Sequence, residues 1–113
     1  MMYGKISMIY LASPYSGTLE QMQDRFERTG KVVAKLLTAE MFVYSPIVHC
    51  HEIAQKYSMP KTFDFWAAYN LHMLSLAEKL YVLKLPDWDI SKGVNAEIDF
   101  ALEKCIPIVF IDE

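Results

Sequence analysis

Four short apolar segments, separated by stretches with helical spacing, constrain the fold of this chain more than any other feature. A nearly continuous apolar run of this kind is typical of a strand that is buried on both faces of a sheet. No hairpin signal joins one segment to the next, so the strands are expected to pair in parallel through right-handed helical crossovers. The pattern therefore predicts an α/β fold with a parallel sheet of about four strands, in the order β-α-β-α-α-β-α-β. The predicted strands are residues 6–12, 41–44, 80–85 and 106–111.

The helices between these strands have recognisable starts. Thr18 and Gln21 form a capping box, and Thr62 and Ser91 stand as N-caps before two later helical patterns. The third helix is expected to turn its apolar side chains inward, and the first to turn most of its charged ones to water. The predicted helices are residues 18–39, 48–56, 62–76 and 91–104. The inward side chains of the third are Phe65, Trp66, Tyr69, Met73 and Leu76, and the solvated charges of the first are Asp24, Arg25, Glu27 and Arg28.

Size and composition limit the classes of function. A chain of 113 residues fits one domain, residues 1–113. Its 53% of hydrophobic residues suggests apolar surface left for a pocket or for the subunit interface of a homo-oligomer. A net charge of −3 argues against polymeric nucleic acid as a partner. We expect no membrane segment, because no apolar run approaches the ~20 residues that span a bilayer, and no signal peptide, because Tyr10, Ser13 and Pro14 interrupt the N-terminal apolar run. Cys50 and Cys105 form no disulfide framework, which indicates reduced thiols in a cytoplasmic protein.

Ligands of open parallel sheets bind at the carboxyl ends of the strands, near the point where the strand order reverses. In this chain that edge carries residues 13–17, 45–51 and 86–97. These loops contain neither a Walker A motif nor a GxGxxG motif, so no nucleotide cofactor is expected. The candidate site residues are sought among them.

Glu97 is the most informative residue of the last helix. It lies at the margin of an apolar stripe formed by Val94, Ile98, Ala101, Leu102 and Cys105. A partly desolvated carboxylate near a helix start is suited to act as a nucleophile or a base. A solvated helix glutamate fits the same spacing, because a perturbed carboxylate is only a probabilistic marker of function.

Two loops offer backbone N–H groups to an anion. Ser91 and Gly93 open the last helix, where a phosphate or sugar oxygen could bind, and residues 13–17 invite the same interpretation after the first strand. In both places a simple N-cap or turn explains the residues as well.

His49, Cys50 and His51 look like a metal motif, but no third ligand with a recognised spacing accompanies the two histidines. We therefore expect no metal, with one histidine lining a pocket and the other capping the short helix. Trp66 and Tyr69 are expected in the core. Trp88 is expected at a pocket rim or an interface.

Taken together, five segments resemble the nucleoside 2-deoxyribosyltransferase superfamily, and look closest to its small branch of uncharacterised bacterial and phage-type proteins. The combination of the first and last of them is the most specific part. They are IYLASPY at 9–15, YSPIVHCH at 44–51, WAAYN at 66–70, LPDW at 85–88 and SKGVNAE at 91–97.

The resemblance implies a flavodoxin-like, Rossmann-like three-layer sandwich that cleaves the N-glycosidic bond of a deoxynucleoside or its 5′-monophosphate. Glu97 matches the nucleophile that attacks C1′, and Tyr10 matches the tyrosine that orients it. Ser91 matches a residue that holds the sugar or its phosphate. The implied ligand is thus a small-molecule nucleoside or nucleotide, without any cofactor. The expected substrate-binding residues are Ser13, Tyr15, Ser16, Ser45, His49, His51, Trp88, Ser91 and Gly93.

Asn70 stands where this superfamily usually has an aspartate that handles the proton of the leaving base. An amide cannot transfer a proton, so general acid catalysis is lost unless another carboxylate substitutes. Asp89, Asp64 and Asp87 are the candidates, with Asp89 nearest in sequence to the anion loop. The chain also ends at Glu113, without the extension by which transferases of the superfamily complete a neighbouring site. Hydrolysis or transfer by Glu97 and binding without turnover are therefore both open, and a metal-dependent hydrolase using His49 and His51 is a third alternative.

Overall fold

The computed structural model describes residues 8–113, and it contains four strands and four α-helices in the predicted order. The strands are β1 (Met8–Ala12), β2 (Phe42–Tyr44), β3 (Lys79–Leu83) and β4 (Ile108–Ile111). The helices are α1 (Leu19–Thr38), α2 (Pro46–Lys56), α3 (Phe63–Ser75) and α4 (Lys92–Glu103). A 3-10 turn at Trp88–Ile90 precedes α4. The predicted strand at 6–12 begins at Met8 in the structure, and its first two residues lie outside the described part.

All neighbouring strands are parallel, and their order in the sheet is β2-β1-β3-β4. Tyr10 of β1 is paired with Tyr44 of β2 on one side and with Leu80 of β3 on the other. The prediction of an α/β fold with a parallel four-stranded sheet is confirmed, and the arrangement is a flavodoxin-like or Rossmann-like three-layer fold. Because the chain leaves β1 first towards β2 and later returns to β3, the strand order reverses beside β1.

Side chains alternate between the two faces of the central strands, and each face has its own core. On one face Leu11 and Leu83 pack against α1 through Val32 and Val33. On the other face α3 and α4 lie side by side over a second cluster. That cluster contains Tyr10, Ala12, Leu74, Leu80, Val82, Val94 and Ala101.

Helix α3 departs from its predicted burial. Among its residues only Leu74 is fully buried, whereas Phe65, Tyr69 and the C-cap residue Leu76 are exposed. The C-terminal half of α3 packs on the sheet, but its N-terminal half extends past the carboxyl ends of the strands. The expectation that Trp66 and Tyr69 lie in the core is therefore wrong.

Helix α4 buries a narrower stripe than predicted. Val94, Glu97 and Ala101 are buried, whereas Leu102 is 65% exposed and Cys105 is exposed after the helix end. Residue 102 lies a further 100° around the helix from Ala101, which turns it away from the buried face. Glu97 is thus inside the buried stripe rather than at its margin.

Candidate functional site

A cavity of about 630 Å³ opens at the carboxyl ends of β1, β2 and β3, beside the reversal of strand order. Its walls come from the loop after β1, the start of α2, the N-terminal half of α3 and the start of α4. A cavity of this size holds a small organic ligand. Eight residues predicted for the site line it: Ser13, Tyr15, Ser16, His51, Asn70, Ser91, Gly93 and Glu97.

Glu97 and Tyr10 form a buried pair at the inner end of this cavity. The Tyr10 hydroxyl donates a hydrogen bond to Oε2 of Glu97, and the Glu97 side chain is only 5% exposed. Burial raises the pKa of Glu97 to about 7, although the hydrogen bond from Tyr10 opposes the rise. Burial and the adjacent carboxylate raise the pKa of Tyr10 well above its usual value, so Tyr10 stays a donor. Oε1 accepts no hydrogen bond from any residue within 8–113.

Asn70 enters the cavity from α3. Its Oδ1 atom is buried and has no hydrogen-bond partner among the residues that the structure describes. A buried amide oxygen of this kind ordinarily finds a donor. The arrangement fits a ligand or water that donates a hydrogen bond to Oδ1. An amide oxygen can accept such a bond, although the amide cannot transfer a proton.

The three aspartates expected to replace the usual acid have different positions. Asp64 and Asp87 line the cavity, but each faces a cation: Asp64 accepts from Lys92 at 3.0 Å, and Asp87 lies 3.7 Å from Arg25. Asp89 is exposed in the 3-10 turn and does not line the cavity. Asp89, the candidate nearest to Ser91 in sequence, is therefore the one of the three that lies outside the cavity.

His51 joins α2 to the loop after β1. It is 3% exposed, and its Nδ1 lies 2.6 Å from the Tyr15 hydroxyl while Nε2 lies 3.0 Å from Oε1 of Gln23. Burial lowers the pKa of His51, which favours the neutral ring. With the ring proton on Nε2, Tyr15 donates to Nδ1 and Gln23 accepts, so the Tyr15 phenol is held at the cavity wall.

Ser91 and Gly93 bring the start of α4 to the cavity. The Ser91 hydroxyl accepts from the backbone N–H of Val94 at 3.2 Å and so caps the helix that carries Glu97. At Gly93 an added Cβ would lie 3.4 Å from the Phe63 ring, so α3 packs closely here. The serine is therefore both the N-cap and a lining residue.

The model of the family described as a domain of unknown function, DUF1937, matches residues 7–113. The chain belongs to this family. No curated protein matches it.

Five residues predicted to bind substrate or act in catalysis do not line the cavity of this DUF1937 chain: Asp89, Ser45, His49, Trp88 and Tyr10, the last of which is bonded to Glu97. Ser45 is the buried N-cap of α2, and its hydroxyl accepts from the N–H of Val48. His49 is exposed and packs on the Tyr44 ring, so the helix cap predicted for a histidine is supplied by Ser45 instead. Trp88 packs against Phe110 and the core beneath α4.

The two histidines of the apparent metal motif point to different places, because His51 turns to Tyr15 and His49 to Tyr44. Within residues 8–113 no group of three His, Cys, Asp or Glu residues is placed to hold a metal ion. Across the same residues, no helix combines the length and the apolar character needed to cross a membrane. Cys50 lines the cavity and Cys105 is exposed, and both are free thiols.

Arg25 is the clearest functional candidate that the sequence interpretation missed. Its side chain is only 12% exposed, and Nη1 donates to the backbone oxygens of Tyr15 and Ser16 at 3.3 and 2.7 Å. The residue was expected to face water, but it stands three residues after Met22 and four before Thr29, both buried. That spacing was the available signal, since it places Arg25 on the inward face of α1. Other lining residues not anticipated are Gln21, Lys61, Phe63, Trp66 and Lys92.

Proposed function

We propose that this protein cleaves the N-glycosidic bond of a deoxynucleoside or deoxynucleoside 5′-monophosphate, and that it is a relative of the nucleoside 2-deoxyribosyltransferases. The observation that carries the proposal is the buried Glu97 carboxylate, bonded to Tyr10 at the inner end of a ligand-sized cavity. A desolvated carboxylate with a shifted pKa in a cleft is a candidate catalytic group. The matching segments of the sequence then select the reaction.

In this mechanism Oε1 of the ionised Glu97 attacks C1′ of the deoxyribose. A covalent bond forms between the carboxylate and C1′, and the C1′–N bond breaks with its electron pair leaving on the base. Tyr10 donates to Oε2 throughout and holds the carboxylate in one orientation. Water, or a second base, then attacks C1′, and the bond between C1′ and Oε1 breaks with its electron pair returning to Glu97. The proton that the attacking group loses balances the charge of the base anion released in the first step.

Protonation of the leaving base is the weak point of the mechanism in this chain. Asn70 lies in the cavity but has no proton to give, and general acid catalysis typically contributes about 10²- to 10⁴-fold in rate. We therefore expect turnover to be slow for bases that need protonation, and faster for those that leave as stable anions.

The test is chromatographic detection of free base from the four common deoxynucleosides and their 5′-monophosphates, with and without an acceptor base. We expect release by the wild type to rise with pH through about 7, because Glu97 must be ionised. Glu97→Gln, which keeps the shape of the side chain, should lower the rate by at least about a thousandfold. Glu103→Gln, at an exposed position of the same helix, is the matched control and should leave the rate unchanged.

Absence of base release from every substrate would contradict this proposal, as would full activity of Glu97→Gln. A second candidate, a module of the same fold that binds a nucleotide without turnover, is favoured by Asn70 and its unpartnered Oδ1. Calorimetric binding without base release supports that candidate. Gain of release in Asn70→Asp would then show that this one side chain separates binding from catalysis.

A further inference from the structure

The cations that line the cavity differ in whether they already have an anionic partner. Arg25 lies 3.7 Å from Asp87, and Lys92 donates to Asp64 at 3.0 Å. These two pairs are internally neutral. A third cation, Lys61, lines the cavity and forms no hydrogen bond or ion pair with any residue from 8 to 113.

The other ionisable groups nearby do not neutralise Lys61. Glu97 is bonded to Tyr10, and burial favours its protonated form. The neutral form of His51 is favoured first by its burial and then by the positive charge of Lys61, against an opposing effect of Glu52. Lys61 is thus close enough to His51 to act on it electrostatically.

The position of Lys61 indicates which part of a ligand it would meet. It lies between α2 and α3, half-buried, on the side of the cavity where His51 holds the Tyr15 hydroxyl. Glu97 belongs to α4, on the opposite face of the sheet from α1. Because both residues line the cavity, one ligand can present its reacting carbon to Glu97 and a separate acceptor group to Lys61.

We propose that Lys61 is a phosphate-binding residue and that the ligand is a deoxynucleoside 5′-monophosphate rather than a deoxynucleoside. This inference rests on the proposed function for the identity of the sugar and base. A partly desolvated ammonium without an anionic partner is unfavourable, and a ligand phosphate supplies both charge and strong acceptors. The paired Arg25 and Lys92 need no such partner, so Lys61 is the residue that discriminates.

The experiment is calorimetry on Glu97→Gln protein, which leaves substrates intact, with a deoxynucleoside, its 5′-monophosphate and inorganic phosphate as separate probes. We expect the monophosphate to bind at least about tenfold more tightly than the matching deoxynucleoside. When Lys61→Gln is added to the Glu97→Gln protein, most of that difference in affinity should be lost. The affinity for the deoxynucleoside should stay within about twofold of its value in the Glu97→Gln protein. Lys61→Arg, which retains the positive charge, should preserve the tighter binding of the monophosphate.

Lys56→Gln is the control, because Lys56 carries the same charge five residues away but does not line the cavity. Equal affinity for the deoxynucleoside and its monophosphate would overturn the inference and leave the proposed function standing. An equal loss in Lys56→Gln and Lys61→Gln would also overturn it, because the effect would then be general charge. Binding of inorganic phosphate through Lys61, with no binding of any deoxynucleoside or monophosphate, would keep the anion site and overturn the proposed function.

Discussion

At the scale of single residues, Glu97 combines a cost to the fold with the catalytic role that we propose for it. A carboxylate in the middle of a buried helical stripe loses hydration, and one hydrogen bond from Tyr10 does not replace it. The site therefore holds a group whose charged form the fold disfavours. Such a group is poised to gain more from a bound ligand than a solvated carboxylate would.

The same residue makes stability depend on pH. Burial raises the pKa of Glu97 from 4.5 to about 7, so the folded chain binds this proton more tightly than the unfolded chain. The resulting stabilisation is fully present below about pH 4.5 and is lost as pH rises through about 7. We expect the free energy of unfolding of Glu97→Gln, relative to the wild type, to increase by about 3 kcal/mol between pH 4.5 and 8.

Urea unfolding at the two pH values measures this difference. Glu103→Gln, an exposed change on the same helix, is the control and should show no comparable gain relative to the wild type. A Glu97→Gln variant that follows the wild type at both pH values would show that Glu97 is not desolvated in solution.

At the scale of elements, the N-cap serines of α2 and α4 allow an effect on helix stability to be distinguished from an effect on ligand binding. Ser45 and Ser91 occupy equivalent N-cap positions, with their hydroxyls accepting from Val48 and Val94, each at 3.2 Å. Only Ser91 also lines the cavity. The two serines therefore form a matched pair.

Replacing either serine by alanine should lower the free energy of unfolding by about 1 kcal/mol, because each removes one capping hydrogen bond. Ser91→Ala should in addition weaken ligand binding, measured by calorimetry with the best probe, whereas Ser45→Ala should leave it unchanged. Equal losses of affinity would mean that Ser91 acts only through helix stability.

Helix α3 shows how one element can serve two purposes along its length. Its C-terminal half supplies Leu74 to the core, while Trp66 and Asn70 line the cavity. The N-terminal half is held by contacts near the surface, including Trp66 Nε1 to the Pro60 carbonyl at 2.7 Å and Lys92 to Asp64. The apolar character of α3 therefore serves the site as well as the core.

At the scale of the whole molecule, apolar side chains remain on the surface of a small domain. Large exposed examples occur on both edge strands and on the helices, among them Phe42, Phe65, Leu76, Leu102 and Phe110. Where such side chains adjoin in a patch, the patch is commonly covered by another subunit. We expect the chain to form a dimer or tetramer, because burial of these side chains contributes roughly 25 cal/mol per Å².

Sedimentation equilibrium tests this expectation against the 13.1 kDa mass of the chain. A single species at twice or four times that mass is the expected result. A monomer at concentrations well above those used for the activity assays would contradict it.

The candidate role of Glu97 came from the resemblance to the nucleoside 2-deoxyribosyltransferase superfamily, whereas the sequence pattern by itself determined the order of strands and helices and the parallel sheet. Those features depend on local periodicity and caps, such as Thr18 with Gln21 and Ser91 with Val94, which act within a few residues. The helical spacing also indicated that Arg25 lies on the buried face of α1, although the charge of its side chain led to the prediction that it faces water. The spacing of apolar residues indicates which face of a helix or strand is buried against the rest of the protein.

Only the tertiary structure decided which side chains share the cavity. His49 and His51 are two residues apart on α2, so they lie about 200° apart around the helix, and only His51 reaches the cavity. Asp89 is near Ser91 in sequence, yet the 3-10 turn carries it outward, whereas Lys61 and Arg25 converge from distant segments. A cavity is the space that packed elements leave between them, so its lining depends on how those elements meet and not on the pattern within any one of them.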